Sequence, residues 1–123
     1  MKIATFNVNG IRARIDHVRR WLEAHEPDVL CLQETKVTDD DFPSEEFSRL
    51  GYALTLAGQP SYNGVAIASR RPIADVRVGL FDDGPDSDKR VVACSVGTTR
   101  IVNVYVPNGR DVTLPSFRQK LRF

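Results

Sequence analysis

Apolar and polar positions alternate between two periods along the chain, and the switches mark its elements. Lys2 to Phe6 predicts a first strand, closed by the polar and glycine residues Asn7-Val8-Asn9-Gly10. From there Ile11, Ile15, Val18 and Leu22 recur at spacings of four, three and four, with Arg12, Asp16, Arg19, Arg20 and Glu23 on the other faces. That spacing predicts an amphipathic helix over 11–24, ended before Pro27. Val29-Leu30-Cys31-Leu32 is a short continuous apolar run, the pattern of a strand covered on both faces. Strand, helix and strand in about thirty residues make a βαβ unit with parallel strands and a right-handed crossover.

The rhythm then changes. Thr38 to Leu50 reads as an acidic loop with a short helix around Ser44-Glu45-Glu46-Phe47, stopped by Gly51. Strands are predicted at 52–56, 65–68, 73–80 and 90–96, and their short separations point to antiparallel pairing. Gly97-Thr98-Thr99 turns the chain into a strand over 100–106. There Val102, Val104 and Val106 face one way, and Ile101, Asn103 and Tyr105 the other. Pro107-Asn108-Gly109 stops it, and 116–123 begins a helix that the sequence leaves short. The expectation is an α/β fold with one mixed sheet and flanking helices. Helices 11–24 and 116–123 can cover one face of that sheet, and no segment is left over to cover the other.

Composition adds three limits. The chain has 123 residues, 41% hydrophobic and 27% charged, enough apolar content for a core and too much for disorder. Seventeen Lys and Arg against sixteen Asp and Glu leave a net charge of +1, so any phosphate must be met by locally placed cations rather than a global positive field. Cys31 and Cys94 sit in apolar runs without a Cys or His at ligand spacing, which predicts buried thiols in a reducing cytoplasm. The N-terminus lacks the pattern of a signal peptide, and no run approaches the ~20 apolar residues of a membrane span.

If the first two strands are parallel neighbours, Asn7 and Asn9 end one strand where Gln33-Glu34-Thr35-Lys36 ends the next, about 5 Å away at the carboxyl edge where α/β sheets bind ligands. A carboxylate, an amide oxygen and several waters form an oxygen shell suited to Mg²⁺. The competing structural reading has Asn9 capping the helix and Glu34 paired with Lys36. Tyr105, just before Pro107, can project its hydroxyl over the sheet edge or sit in the core. Arg12, Lys36 and Arg90 flank strand ends and singly read as solvated charges; Asn63-Gly64 and Asn108-Gly109 read as turns. The aspartate runs at 39–41 and 82–86 lack the spacing of a calcium loop.

The order of these segments is more specific than any one of them. Phe6-Asn7-Val8-Asn9-Gly10-Ile11-Arg12-Ala13, Leu32-Gln33-Glu34-Thr35-Lys36, Tyr62-Asn63-Gly64-Val65-Ala66-Ile67, Arg90-Val91-Val92 and Asn103-Val104-Tyr105-Val106-Pro107-Asn108-Gly109 closely resemble the exonuclease III family of apurinic/apyrimidinic endonucleases, of the endonuclease/exonuclease/phosphatase fold. The resemblance runs the whole length of the chain. It implies a Mg²⁺-dependent DNA-repair phosphodiesterase, with Mn²⁺ as the alternative ion, acting on double-stranded DNA at abasic sites or 3′ ends.

By resemblance, Glu34 matches the family's metal-binding glutamate and Asn7 the asparagine of the metal and phosphate site. Asn9 falls near the metal. Tyr105 matches the active-site tyrosine that hydrogen-bonds the scissile phosphate. Arg12, Tyr62, Arg90 and Asn108 match positions near the DNA backbone, and Lys36 lies beside the metal glutamate. Relatives also carry a Gly-Asp-Phe-Asn segment, and later an aspartate and a Ser-Asp-His segment, that complete the water-activating and metal shell; this sequence contains none of them. The resemblance therefore implies the N-terminal portion of one domain: half of a four-layer α/β sandwich with the second sheet missing, cut within a helix and inactive alone. The full-length protein is expected to be a cytoplasmic monomer, while the fragment would self-associate through its exposed sheet face. The alternative is a non-catalytic half-domain that binds DNA weakly or pairs with a partner. A phosphatase or lipid phosphodiesterase of the same fold fits the 33–36 and 104–109 segments less well.

Overall fold

The computed structural model describes residues 1–123. Strand β1 (Ile3–Asn7), helix α1 (Ile11–His25) and strand β2 (Val29–Gln33) form the expected βαβ unit, with β1 and β2 parallel and Asn7 opposite Gln33. Helix α1 ends on Glu26, which takes a left-handed conformation and returns its N–H to the Leu22 carbonyl; Pro27 then blocks continuation. Helix α2 (Ser44–Arg49) and strands β3 (Ala53–Ala57) and β4 (Val65–Ser69) follow. The four strands make one mixed sheet in the order β1-β2-β4-β3, antiparallel except for β1 with β2.

The remaining strands depart from the single-sheet expectation. β5 (Ile73–Val78), β6 (Val91–Val96) and β7 (Thr99–Val104) form a separate three-stranded antiparallel sheet. β4 and β5, only a few residues apart, do not pair. After Ser69 the chain turns away from the first sheet: Ser69 Oγ donates to the Arg71 carbonyl and accepts from the Arg71 N–H, while Pro72 removes a ladder donor. The second sheet is thus present in part. The α/β architecture with a mixed sheet and flanking helices holds, and the face expected to lack a cover is covered by β6 and β7.

Burial along β2 and β4 shows the two covers directly. Leu30, Leu32, Ala66 and Ala68 join Val8, Ile11, Val18, Leu22, Phe42 and Phe47 in one core under the helices. Their alternate neighbours Val29, Cys31, Val65 and Ile67 meet Val92, Cys94, Val96 and Ile101 in a second core between the sheets. This is why β2 carries no polar residue before Gln33: both of its faces are inside. Helix α3 (Pro115–Arg122) buries no residue.

The outer flank is left apolar. On β7 the valines face outward, Val102 59% and Val104 38% exposed, with Val76 and Val78 of β5 likewise exposed, while Ile101 and Asn103 point into the sandwich. β1 is an unpaired edge with Ile3 and Phe6 nearly half exposed. An apolar groove of about 420 Å³ runs between it and α1, lined by Phe6, Val18, Trp21 and Leu30.

Candidate active site

The site is built where β1 and β2 end together. Past the last ladder pair, backbone bonds continue: Val8 N–H to the Gln33 carbonyl at 3.0 Å, Gly10 N–H to Glu34 at 2.8 Å and Ile11 N–H to Thr35 at 3.0 Å. The first donors of α1 are therefore satisfied by residues 34–35, and no side chain caps the helix. This releases Asn9 from the capping role. Its Oδ1 instead accepts from Lys36 Nζ at 2.6 Å.

Glu34 lies at the centre. Its Oε1 accepts from Asn7 Nδ2 at 3.1 Å, and its Oε2 stands 3.5 Å from Lys36 Nζ. The Asn7 carbonyl oxygen in turn accepts from the Asn9 N–H at 3.1 Å, so the Asn7 amide is held at both ends and orients the carboxylate. Partial burial by itself raises the Glu34 carboxyl, but the Asn7 amide, the nearby Tyr105 hydroxyl and the Lys36 ammonium together outweigh it. The net effect holds Glu34 below its ordinary value and so ionised at neutral pH.

Tyr105 comes to the same place from the other sheet. Its N–H donates to the Arg90 carbonyl at 2.8 Å, which fixes the end of β7 against the start of β6. Burial, then the Glu34 carboxylate, push its phenol up, with Arg90 and the Asn108 backbone opposing. The hydroxyl is thus kept protonated as a donor. Asn108 follows at an exposed turn where its Oδ1 accepts from the Arg110 N–H at 2.9 Å.

The loop before β4 closes the third side. Thr35 N–H donates to the Gly64 carbonyl, Lys36 N–H to the Asn63 carbonyl at 2.9 Å, and Gly64 N–H to the Lys89 carbonyl at 2.8 Å. Gly64 is required there: at φ +90° a Cβ would lie 2.2 Å from Thr35 Oγ1. Asn9, Glu34, Lys36, Ser61 and Asn63 all have positive φ, so backbone strain gathers at this edge, as it does at sites that hold side chains in fixed directions.

The expected cations divide. Lys36 is inside the cluster. Arg90, only 11% exposed, is engaged with Asp88 at 2.9 Å, Asn63 Oδ1 at 3.1 Å and the Phe123 ring at 5.6 Å, which makes it a strut for the 59–64 loop. Arg12 pairs with Asp41 at 3.4 Å on the surface, and Tyr62 is 71% exposed beside Asn63 at the rim.

Glu34 is the one carboxylate of the cluster, and no group of three or more His, Cys, Asp or Glu in the chain is placed to hold a metal ion. A single ionised carboxylate suits a cation that keeps much of its water and takes a phosphate oxygen, which is the habit of Mg²⁺.

The Endonuclease/Exonuclease/phosphatase family matches residues 4–123. The chain belongs to that family. Exodeoxyribonuclease III of Haemophilus influenzae is 36% identical over 115 residues, which is 90% of this chain and 43% of that protein. The structure of the 3′ phosphatase NExo from Neisseria bound to a product DNA hairpin superposes with a TM-score of 0.94 at 40% identity, over 99% of this chain and 48% of that one. An AP endonuclease from Archaeoglobus fulgidus gives 0.92 at 42% identity, over 99% and 47%. The chain spans about half the length of these relatives.

Two residues of this family member went unread as candidates in the sequence. Asn103 is 2% exposed and Gln33 is half-buried, and they are hydrogen-bonded to each other at 2.7 Å across the two sheets. The available signal was an asparagine on the same strand face as Ile101, in a strand whose other face carries Val102 and Val104 after Arg100. No helix of the chain is long and apolar enough to cross a membrane.

Proposed function

We propose that this chain is the N-terminal portion of a Mg²⁺-dependent DNA-repair phosphodiesterase of exonuclease III type, cleaving duplex DNA at abasic sites and removing nucleotides from 3′ ends. The observation that carries the reading is the convergence of Asn7, Glu34 and Lys36 from one sheet with Tyr105 from the other at a single edge. The names of the Haemophilus, Archaeoglobus and Neisseria relatives support the substrate class.

Glu34 would hold the ion, with Asn7 keeping the carboxylate turned toward it. Bound Mg²⁺ would supply Lewis-acid neutralisation of charge on the phosphoryl oxygens. Tyr105, protonated well above neutral pH, would donate a hydrogen bond from its hydroxyl to a phosphate oxygen whose charge grows in the transition state. Lys36 and Asn9, already joined at 2.6 Å, would hold phosphate by charge and hydrogen bonding. Asn108, Arg12 and Tyr62 lie at the rim where a DNA backbone could follow the edge. Arg90 would act by keeping Asn63 in place.

Hydrolysis also requires a group to take the proton of the attacking water, and Glu34 is committed to Asn7 and Lys36. The residues 1–123 alone are therefore expected to be inactive or nearly so. The unpaired β1 edge and the outward valines of β5 and β7 would receive the remainder of the domain. The test is a duplex carrying one abasic site, incubated with Mg²⁺ and either this chain or this chain joined to the C-terminal half of the Neisseria enzyme. Incision by the joined protein alone is the expected result; a joined protein that folds and does not cut would overturn the reading.

A further inference from the structure

The two sheets meet mainly through Val, Ile, Ala and Cys, contacts that carry no direction and tolerate sliding. One buried polar network crosses that interface. Asn103 of β7 donates from Nδ2 to the Leu32 carbonyl of β2 and to the Ala66 carbonyl of β4, both at 2.8 Å. Its Oδ1 accepts from Gln33 Nε2 at 2.7 Å, and the same nitrogen donates to Thr5 Oγ1 of β1 at 2.8 Å. Four strands of both sheets are thus tied through two amides.

The place of the network matters as much as its bonds. Thr5 lies two residues before Asn7 and Asn103 two before Tyr105, so these two network residues each share a strand face with a site residue one step nearer the edge. Gln33 immediately precedes Glu34, where φ turns to +53°. Moving β7 along β2 by one residue, about 3.3 Å, would take the three bonds of Asn103 out of range and strand its buried amide, while the Gln33–Thr5 bond lies within one sheet and would persist.

We propose that Asn103 and Gln33 are positioning residues: their inter-sheet network fixes the height of β7 against β2 and so holds the Tyr105 hydroxyl beside the Glu34 carboxylate. The positioning claim concerns geometry alone; its consequence for catalysis rests on the nuclease reading above. Asn103 touches neither Glu34 nor Tyr105 through a hydrogen bond of its own, and its effect passes through the strand.

The experiment separates the two layers. In the full chain labelled with ¹³C at tyrosine Cζ, three signals arise, from Tyr52, Tyr62 and Tyr105. Asn103→Leu, close in volume but without the amide, is expected to move the Tyr105 signal and leave the others in place. Ile101→Val, a small loss in the same inter-sheet core, is expected to move none. Should Asn103→Leu fail to fold, Gln33→Met removes only the Thr5 and Asn103 Oδ1 bonds and is expected to move the same signal less. A folded variant of either kind with the Tyr105 signal unmoved overturns the proposal. In the joined, DNA-cleaving protein, Asn103→Leu is expected to lower kcat about 10- to 100-fold with KM within about twofold, since a misplacement near 1 Å is enough for such a loss. A moved Tyr105 signal in a protein that cuts no DNA would leave the positioning role standing and fail the nuclease reading instead.

Discussion

Replacing Gly64 by alanine tests how tightly the 59–64 loop is locked to the site. The new methyl carbon would sit 2.2 Å from Thr35 Oγ1, 3.3 Å from the Lys36 nitrogen and 3.4 Å from Thr35 Cβ, with the backbone at φ +90°. Thr35 is 1% exposed and has no room to swing aside, so the backbone must yield by more than 1 Å. Holding a non-glycine residue in that conformation costs about 1–3 kcal/mol, and overpacking a closed site adds about 1–3 kcal/mol. The expected loss is therefore about 2–6 kcal/mol, which at about 4 °C per kcal/mol for a chain this long lowers the melting temperature by roughly 8–24 °C. Thermal and urea unfolding measure it. Thr35→Ala removes the 2.2 Å contact but leaves the backbone strain, so the double variant should be more stable than the sum of the single losses predicts, by about 1–3 kcal/mol. Strict additivity, or a Gly64→Ala loss below about 1 kcal/mol, would refute the close packing described for Gly64 and Thr35.

Further outcomes follow from the same contacts. Tyr105→Phe in the joined protein should reduce kcat for abasic-site incision while DNA affinity stays within about twofold, because the hydroxyl acts on charge that develops only in the transition state; an equal loss in both would assign Tyr105 to binding. Glu34 is held below its ordinary value, so its ionised form stabilises the fold above the unfolded carboxyl pKa of about 4.3, and that contribution disappears as pH falls through the lower folded value. The stability gap between the native chain and Glu34→Gln, followed by urea unfolding, should be present at pH 7 and shrink as the pH is taken down through and below the unfolded carboxyl value. Burial, and secondarily Cys94, push the Cys31 thiol up to about 11, and burial also raises Cys94. Both should resist a disulfide reagent at pH 8 until the chain is unfolded, and rapid labelling of the folded chain would contradict the inter-sheet core. Ile67→Ala, in the middle of that core and fully buried, should cost about 2–5 kcal/mol in urea unfolding.

Much of this was legible in the residues. The spacing of Ile11, Ile15, Val18 and Leu22 defines α1 to within a residue of its end, and the unbroken run Val29 to Leu32 correctly implies a strand with two covers. The parallel pairing of β1 and β2 then brings Asn7 and Glu34 together. Where the sheet divides was not legible, because Ile73 to Val78 has the same alternation whether it extends the first sheet or starts a second. The turn at Ser69 to Pro72 decides that through contacts only the folded chain makes. Asn9 looks like a helix cap because its type and position suit one, and it is displaced from that role by the Glu34 and Thr35 carbonyls, each 24 residues along the chain from the N–H it accepts. Arg90 reads as a free cation until its partners Asn63, Asp88 and Phe123 are seen around it. Asn103 is the clearest case of a local rule reversed: the polar face of β7 is the buried one, since that face crosses to the other sheet beneath the site while the valine face looks outward.

In the proposed function Glu34 holds the ion on which phosphodiester cleavage depends. The most direct test of that role is the Mg²⁺ concentration that half-saturates abasic-site incision, measured for the joined protein and for its Glu34→Gln variant. The account predicts that the variant requires at least tenfold more Mg²⁺, as expected when a charged ligand becomes a neutral one, and cuts more slowly even at saturation. An unchanged half-saturating concentration with only a slower rate would contradict it, because Glu34 would then serve the reaction without holding the metal.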